Sequence, residues 1–94
     1  MSDGVYKYQI RATSQFKKSA KLAGKRGKNV QKLKDVVELL ASGSELPPIY
    51  KEGNWTLHRE LHIENDWLLI YKIQKDVLIL ELIDTGTHSD LFRK

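Results

Sequence analysis

Apolar and polar residues alternate along the first stretch of the chain, with Tyr6, Tyr8, Ile10 and Ala12 on one side and Lys7, Gln9 and Arg11 on the other. A repeat of two places successive side chains on opposite faces, as in a strand with one buried face. The repeat then lengthens. Phe16, Ala20 and Ala23 recur at four and three residues, behind Thr13 or Ser14, whose hydroxyls suit the N-cap of a helix. Gly24 and Gly27 are expected to end that helix. Val30, Leu33, Val36, Val37 and Leu40 form a second apolar stripe at helical spacing, and Ser42-Gly43 offers it a stop.

The next stretch, GSELPPIYKEGN (43–54), contains a Pro-Pro pair that cannot continue a helix and reads as a loop. From Trp55 the odd positions Trp55, Leu57, Leu61 and Ile63 are apolar and the even positions Thr56, His58, Glu60, His62 and Glu64 polar. Only Arg59 breaks this alternation, which predicts one strand over 55–64. Trp67 to Ile73 is nearly all apolar, as in a central strand covered on both faces. Gln74-Lys75-Asp76 is a short turn into a last strand, Val77 to Ile83. The elements make one α+β domain over residues 1–94: an N-terminal strand, a helical hairpin, and an antiparallel sheet packed on it.

Composition narrows the class. A chain of 94 residues, 40% hydrophobic and 30% charged, has the balance of an ordinary globular domain rather than of a disordered one. It has no cysteine, which excludes a disulfide framework and fits a reducing cytoplasm. The N-terminus shows no basic segment leading into an apolar run, and no run approaches the roughly 18 apolar residues of a membrane helix. Neither secretion nor a membrane partner is expected.

Charge is distributed unevenly. Residues 1–34 hold ten Lys or Arg against one acid, whereas the rest hold six bases against eleven acids. Lys17, Lys21, Lys25, Lys28 and Lys32 follow at steps of four, four, three and four, which predicts a basic ridge over the hairpin facing a polyanion or an acidic protein. Such a ridge is also what an ordinary solvated helix face looks like.

Candidate chemistry comes from three histidines and one acid. In HRELH, His58 and His62 stand four apart, but the zincin pattern needs Glu directly after the first His, and here Arg59 occupies that place. On a strand the two are also about 13 Å apart, too far for one metal. No metal and no cofactor is therefore expected, and no GxGxxG, GxxxxGK[ST] or GxSxG occurs. His62, Asp66 and His88 remain as proton-moving groups. Two histidines can act as general base and general acid near neutral pH. An RNA 2′-hydroxyl attacking its own phosphorus needs such a pair, and Arg59 is a candidate to stabilise the added negative charge. Taken singly, each histidine is more often a surface residue.

From Leu46 to Phe92 the chain carries a Pro-containing loop, a Trp-led strand WTLHRELHI, the strand NDWLLIYKI and the closing TGTHSDLF. In this order and spacing the segments resemble the C-terminal half of YafQ-type toxins of the RelE superfamily. The N-terminal half is similar in plan, with a Phe-Lys-Lys start to a lysine-rich helix and a following K-L-K-D-V helix. The resemblance implies a RelE-like fold with a short C-terminal helical turn. It also implies a toxin of a type II toxin-antitoxin pair, a ribosome-dependent endoribonuclease acting on mRNA, with a cognate antitoxin as partner.

At the matching positions the resemblance implies catalytic roles for His62, Asp66 and His88. Trp67 and Phe92 are expected near the RNA, and Lys17, Lys21 and Lys25 among the substrate-binding cations. One departure stands out. Such toxins usually carry an Asp-His pair and a longer loop where this chain has only Tyr50 to Trp55, so one family histidine has no counterpart. His58 is the candidate to compensate from the polar face of its strand. Two rival readings follow: a binding module without turnover, motivated by the short loop, and a gyrase-directed toxin of the ParE branch. Retention of His62, Asp66 and His88 argues against the second.

Overall fold

The computed structural model describes residues 6–44, 50, 52–55 and 58–92, with backbone alone at 52–55 and 92. The Pro-Pro segment, Thr56-Leu57 and the Phe92 side chain therefore lie outside the described residues. Five strands and three helices follow one another: β1 Gln9–Ala12, α1 Ser14–Lys25, α2 Val30–Ser42, β2 Glu52–Trp55, β3 His58–Glu64, β4 Trp67–Gln74, β5 Ile79–Gly86 and α3 His88–Phe92. The strands form one sheet in the order β1-β5-β4-β3-β2. Neighbours in β2 to β5 run antiparallel, while β1 lies parallel to β5, with Gln9 opposite Ile79 and Ala12 opposite Leu82. The sheet is thus mixed.

Both helix starts are capped by side chains. Thr13 Oγ1 accepts from the Phe16 N–H and donates to the Ile83 carbonyl, tying the start of α1 to β5. Asn29 Oδ1 accepts from the Gln31 N–H at the start of α2. Gly24 does not end α1, which continues to Lys25. Gly27 does so with φ of +84°, and the Lys28 N–H reaches back to the Ala23 carbonyl. The left-handed conformation at Gly27 satisfies carbonyls that the last turn would otherwise leave open.

Phe16 and Ala23 of α1 and Leu33, Val36 and Leu40 of α2 pack on Leu61, Ile63, Trp67, Leu69, Tyr71, Leu80 and Leu82 of the sheet. A smaller cluster of Leu68, Ile70 and Leu91 with Ile83 lies apart from it and is closed by α3. Trp67 to Tyr71 are all at most 1% exposed, which explains the unbroken apolar run in β4.

Three sequence expectations change. The predicted strand 55–64 is two elements: Trp55 ends β2 and pairs with His58, the first residue of β3. The alternation stayed in phase across the reversal, so periodicity alone did not reveal it. Val77 and Leu78 belong to the turn before β5 and are 54% and 47% exposed; their hydrophobicity mimicked a strand start. Thr85 and Gly86, beyond the predicted end of the last strand at Ile83, extend β5.

Candidate active site

Strand register brings the two histidines together. His62 of β3 pairs with Leu68 of β4, and Leu68 pairs with Gly86 of β5, so the three residues form a row across the sheet. His88 stands two residues beyond Gly86, at the first position of α3. The rings of His62 and His88 lie 5.6 Å apart between centroids, tilted by 48°. Asp66 sits in the tight turn joining β3 to β4. Its Oδ1 accepts both from the His88 backbone N–H at 3.0 Å and from His88 Nδ1 at 2.6 Å.

Those contacts hold the Asp66 carboxyl below the usual carboxylate range. The backbone hydrogen bond from His88 is the largest cause, the ring hydrogen bond follows, and Lys28 adds a favourable field. Asp66 is therefore ionised at neutral pH and accepts a hydrogen bond from Nδ1–H. With Nδ1 engaged as donor, the neutral ring of His88 has Nε2 as its acceptor nitrogen.

The short helix α3 is held by side chains. The Thr87 N–H donates to Asp90 Oδ2 at 3.1 Å and the Asp90 N–H donates to Thr87 Oγ1 at 3.1 Å, a reciprocal cap. Arg26, just past α1, donates to the same Asp90 oxygen at 2.7 Å. The Asp90 carboxyl lies below its usual range, first because of the Thr87 N–H and next because of Arg26. The chain must pass close here: a Cβ on Gly86 would stand 3.0 Å from Asp90 Cβ and 3.1 Å from Oδ2.

The lysine ridge divides between two surroundings. Lys17, Lys21 and Lys25 are exposed along α1. Lys28 instead places Nζ 5.8 Å from the centre of the Trp67 ring, and Lys32 Nζ pairs with Glu64 Oε2 at 2.8 Å. That pair raises Lys32 and lowers Glu64, chiefly through its hydrogen bond. Between α1 and the end of β5, a pocket of about 200 Å³ is lined by Leu22, Arg26, Lys28, Trp67, Thr87 and Asp90 among others, with neither histidine in its wall.

Other expected site residues fall elsewhere. Arg59 is three residues before His62 in β3, an odd offset that puts it on the other face and about 10 Å away along the strand. It is not brought to the histidine pair. His58 shares the His62 face but stands beside Trp55 at the far end of β3, about 13 Å along the strand. Trp67 is a core residue, 1% exposed, whose indole N–H donates to Thr85 Oγ1 at 3.0 Å. Thr85 Oγ1 in turn donates to the Leu68 carbonyl at 2.6 Å, which binds β4 to β5 beside the site.

Sequence reasoning missed Asp90 and Arg26. Thr87-x-x-Asp90 is a legible capping signal, but nothing local links Arg26 to a residue 64 positions later. Among the described residues, no group of three or more His, Cys, Asp or Glu side chains is arranged to hold a metal, and no helix is long and apolar enough to cross a membrane.

The mixed sheet, helical hairpin and closing helix define a RelE-like toxin fold. Residues 8–93 match the family described as bacterial toxin of type II toxin-antitoxin system, YafQ, and the chain belongs to that family. It is 42% identical to the mRNA interferase toxin YafQ of Escherichia coli K12, over 88% of this chain and 94% of that protein. Its structure superposes on YafQ of the E. coli DinJ-YafQ toxin-antitoxin complex with a TM-score of 0.81, at 40% identity and covering 92% and 98% of the two chains. A metal-bound toxin from Helicobacter pylori gives a TM-score of 0.86 at 36% identity, covering 90% and 99%.

Proposed function

We infer that this toxin is a ribosome-dependent endoribonuclease that cuts mRNA in the cytoplasm by metal-independent acid-base catalysis. The observation that carries the reading is the His62–His88 pair, with His88 fixed at two points by one Asp66 oxygen. The interferase name of the 42% identical E. coli relative supports the same reaction class.

His62 takes the proton of the 2′-hydroxyl, whose oxygen then bonds to the adjacent phosphorus. The bond from phosphorus to the 5′-oxygen breaks, and Nε2 of protonated His88 supplies the proton that the leaving oxygen needs. The products are a 2′,3′-cyclic phosphate and a 5′-hydroxyl. Asp66 holds Nδ1–H and stabilises the imidazolium charge, and Lys28 lends positive potential where charge accumulates on the phosphoryl oxygens. The exposed Lys17, Lys21 and Lys25 grip ribosomal RNA. A cognate antitoxin binds the toxin, as the DinJ-YafQ toxin-antitoxin complex of the E. coli relative suggests, and neutralises it by covering the basic helices or the catalytic face.

Induction in cells, followed by mapping of transcript ends and measurement of protein synthesis, tests the reading. Translation arrest with internal mRNA cuts ending in cyclic phosphate is expected. Undiminished protein synthesis alongside DNA-damage signalling would instead place the chain with gyrase-directed relatives, and binding to ribosomes without cuts would make it a non-catalytic module.

A further inference from the structure

His88 stands on a helix of only five residues. Isolated helices of that length are not stable, so this one depends on outside contacts. Three are visible. Leu91, 6% exposed, anchors its inner side among Leu68, Ile70 and Ile83. Thr87 and Asp90 cap each other, as described above. Arg26 then clamps the Asp90 carboxylate from the end of α1, across 64 residues of sequence. Leu91 anchors the helix on its inner side and Asp66 holds its first residue, His88, while Arg26 opposes rotation from the Asp90 side. His88 precedes Asp90 by two residues, so rotation would carry its ring away from both Asp66 and His62.

We propose that Arg26 and Asp90 form a positioning clamp that sets the orientation of His88 for proton transfer, so that Arg26 serves the chemistry without touching RNA. The proposal rests on the nuclease reading of His62 and His88. The obvious alternative use of an exposed arginine beside a basic surface is phosphate binding. The geometry favours the clamp, because Arg26 Nη1 is 2.7 Å from a carboxylate that the Thr87 N–H already holds in place. An exposed ion pair contributes little to global stability, so loss of the clamp is expected to alter orientation rather than folding.

The test compares Arg26→Ala, Arg26→Lys, Asp90→Ala and the double alanine variant of the full chain, using cleavage on mRNA-programmed ribosomes and NMR of the histidines. Arg26→Ala and Asp90→Ala should each lower kcat on the order of ten- to a hundredfold, the scale of a misplaced catalytic group, with KM unchanged. The double variant should be no worse than either single one, and Arg26→Lys should recover most of the rate. The downfield proton of the Nδ1–Asp66 hydrogen bond and the His88 amide resonance should shift or broaden in both alanine variants and return with lysine. A raised KM in Arg26→Ala with full activity in Asp90→Ala would overturn the clamp in favour of a phosphate contact. Unchanged His88 resonances in both alanine variants would overturn it as well. If the wild-type chain fails to cut on ribosomes, the nuclease reading falls, and the resonances alone decide whether Arg26 orients His88.

Discussion

One oxygen of Asp66 accepts two hydrogen bonds from His88, one from its backbone at 3.0 Å and one from its ring at 2.6 Å. The residue that closes the β3–β4 turn therefore fixes both the position and the tautomer of the residue that opens α3. Asparagine can keep the shape of this arrangement without its charge. Asp66→Asn should fold and bind antitoxin normally, yet cleave more slowly, because a neutral amide does not stabilise the imidazolium. Single-turnover cleavage on ribosomes measures the loss, and an unchanged rate would remove Asp66 from the mechanism.

Acid should destabilise the fold modestly through three solvent-screened carboxylates. Glu64, Asp66 and Asp90 all lie below their ordinary values in the folded chain. Their contribution is complete above the unfolded carboxylate pKa of about 4 and is lost as pH falls through the lower folded values. Thermal melts between pH 7 and 2.5 should show Tm falling on the acid side. The fall should be shallower in Asp66→Asn and Asp90→Asn; identical acid limbs in all three proteins would contradict the assignment.

Removing either histidine should silence the toxin without unfolding it. His62→Ala and His88→Ala should each reduce cleavage by about 10² to 10⁴, the usual cost of losing a general acid or base. The double variant should be little worse than the worse single one, since members of one catalytic unit are not additive. Full toxicity of both singles would show that proton transfer lies elsewhere.

His58→Ala should be nearly as toxic as the wild type. Its place beside Trp55 is about 13 Å along β3 from His62, too far to replace a histidine missing from the loop. Growth arrest after induction is the readout, and strong loss of toxicity would restore His58 to the site.

Trp67 is predicted to matter for stability before activity. Its indole fills the core at 1% exposure, so Trp67→Ala should cost about 3–5 kcal/mol. Trp67→Phe keeps an aromatic ring and forfeits the hydrogen bond to Thr85, at about 1 kcal/mol. Denaturant titration distinguishes the two, and equal destabilisation would show that the N–H contact, not packing, dominates.

The period of two in Gln9–Ala12 and the stripes of α1 and α2 were legible because each element buries one face and the residues alternate accordingly. The apolar run of β4 was legible for the opposite reason, since both of its faces are covered. The β2–β3 reversal was hidden because Trp55, Leu57, Leu61 and Ile63 keep one alternation along the sequence. The sequence pointed to His62, Asp66 and His88, which the strand register brings together. Arg59 was drawn to the site by its charge alone, and its odd offset from His62 takes it to the other face. Arg26 escaped notice because ion pairing across the fold leaves no periodic trace.

The parallel pairing of β1 with β5 has a consequence for how the chain acquires its shape. Gln9 meets Ile79, and Thr13 at the head of α1 bonds to the carbonyl of Ile83. The first strand therefore lacks its partner in the sheet until some seventy later residues are available, and closing so long a span is entropically slow. A chain interrupted before Ile79 would carry its lysines and His62 but neither β5 nor His88, so a partial translation product would hold only half of the proposed proton-transfer pair.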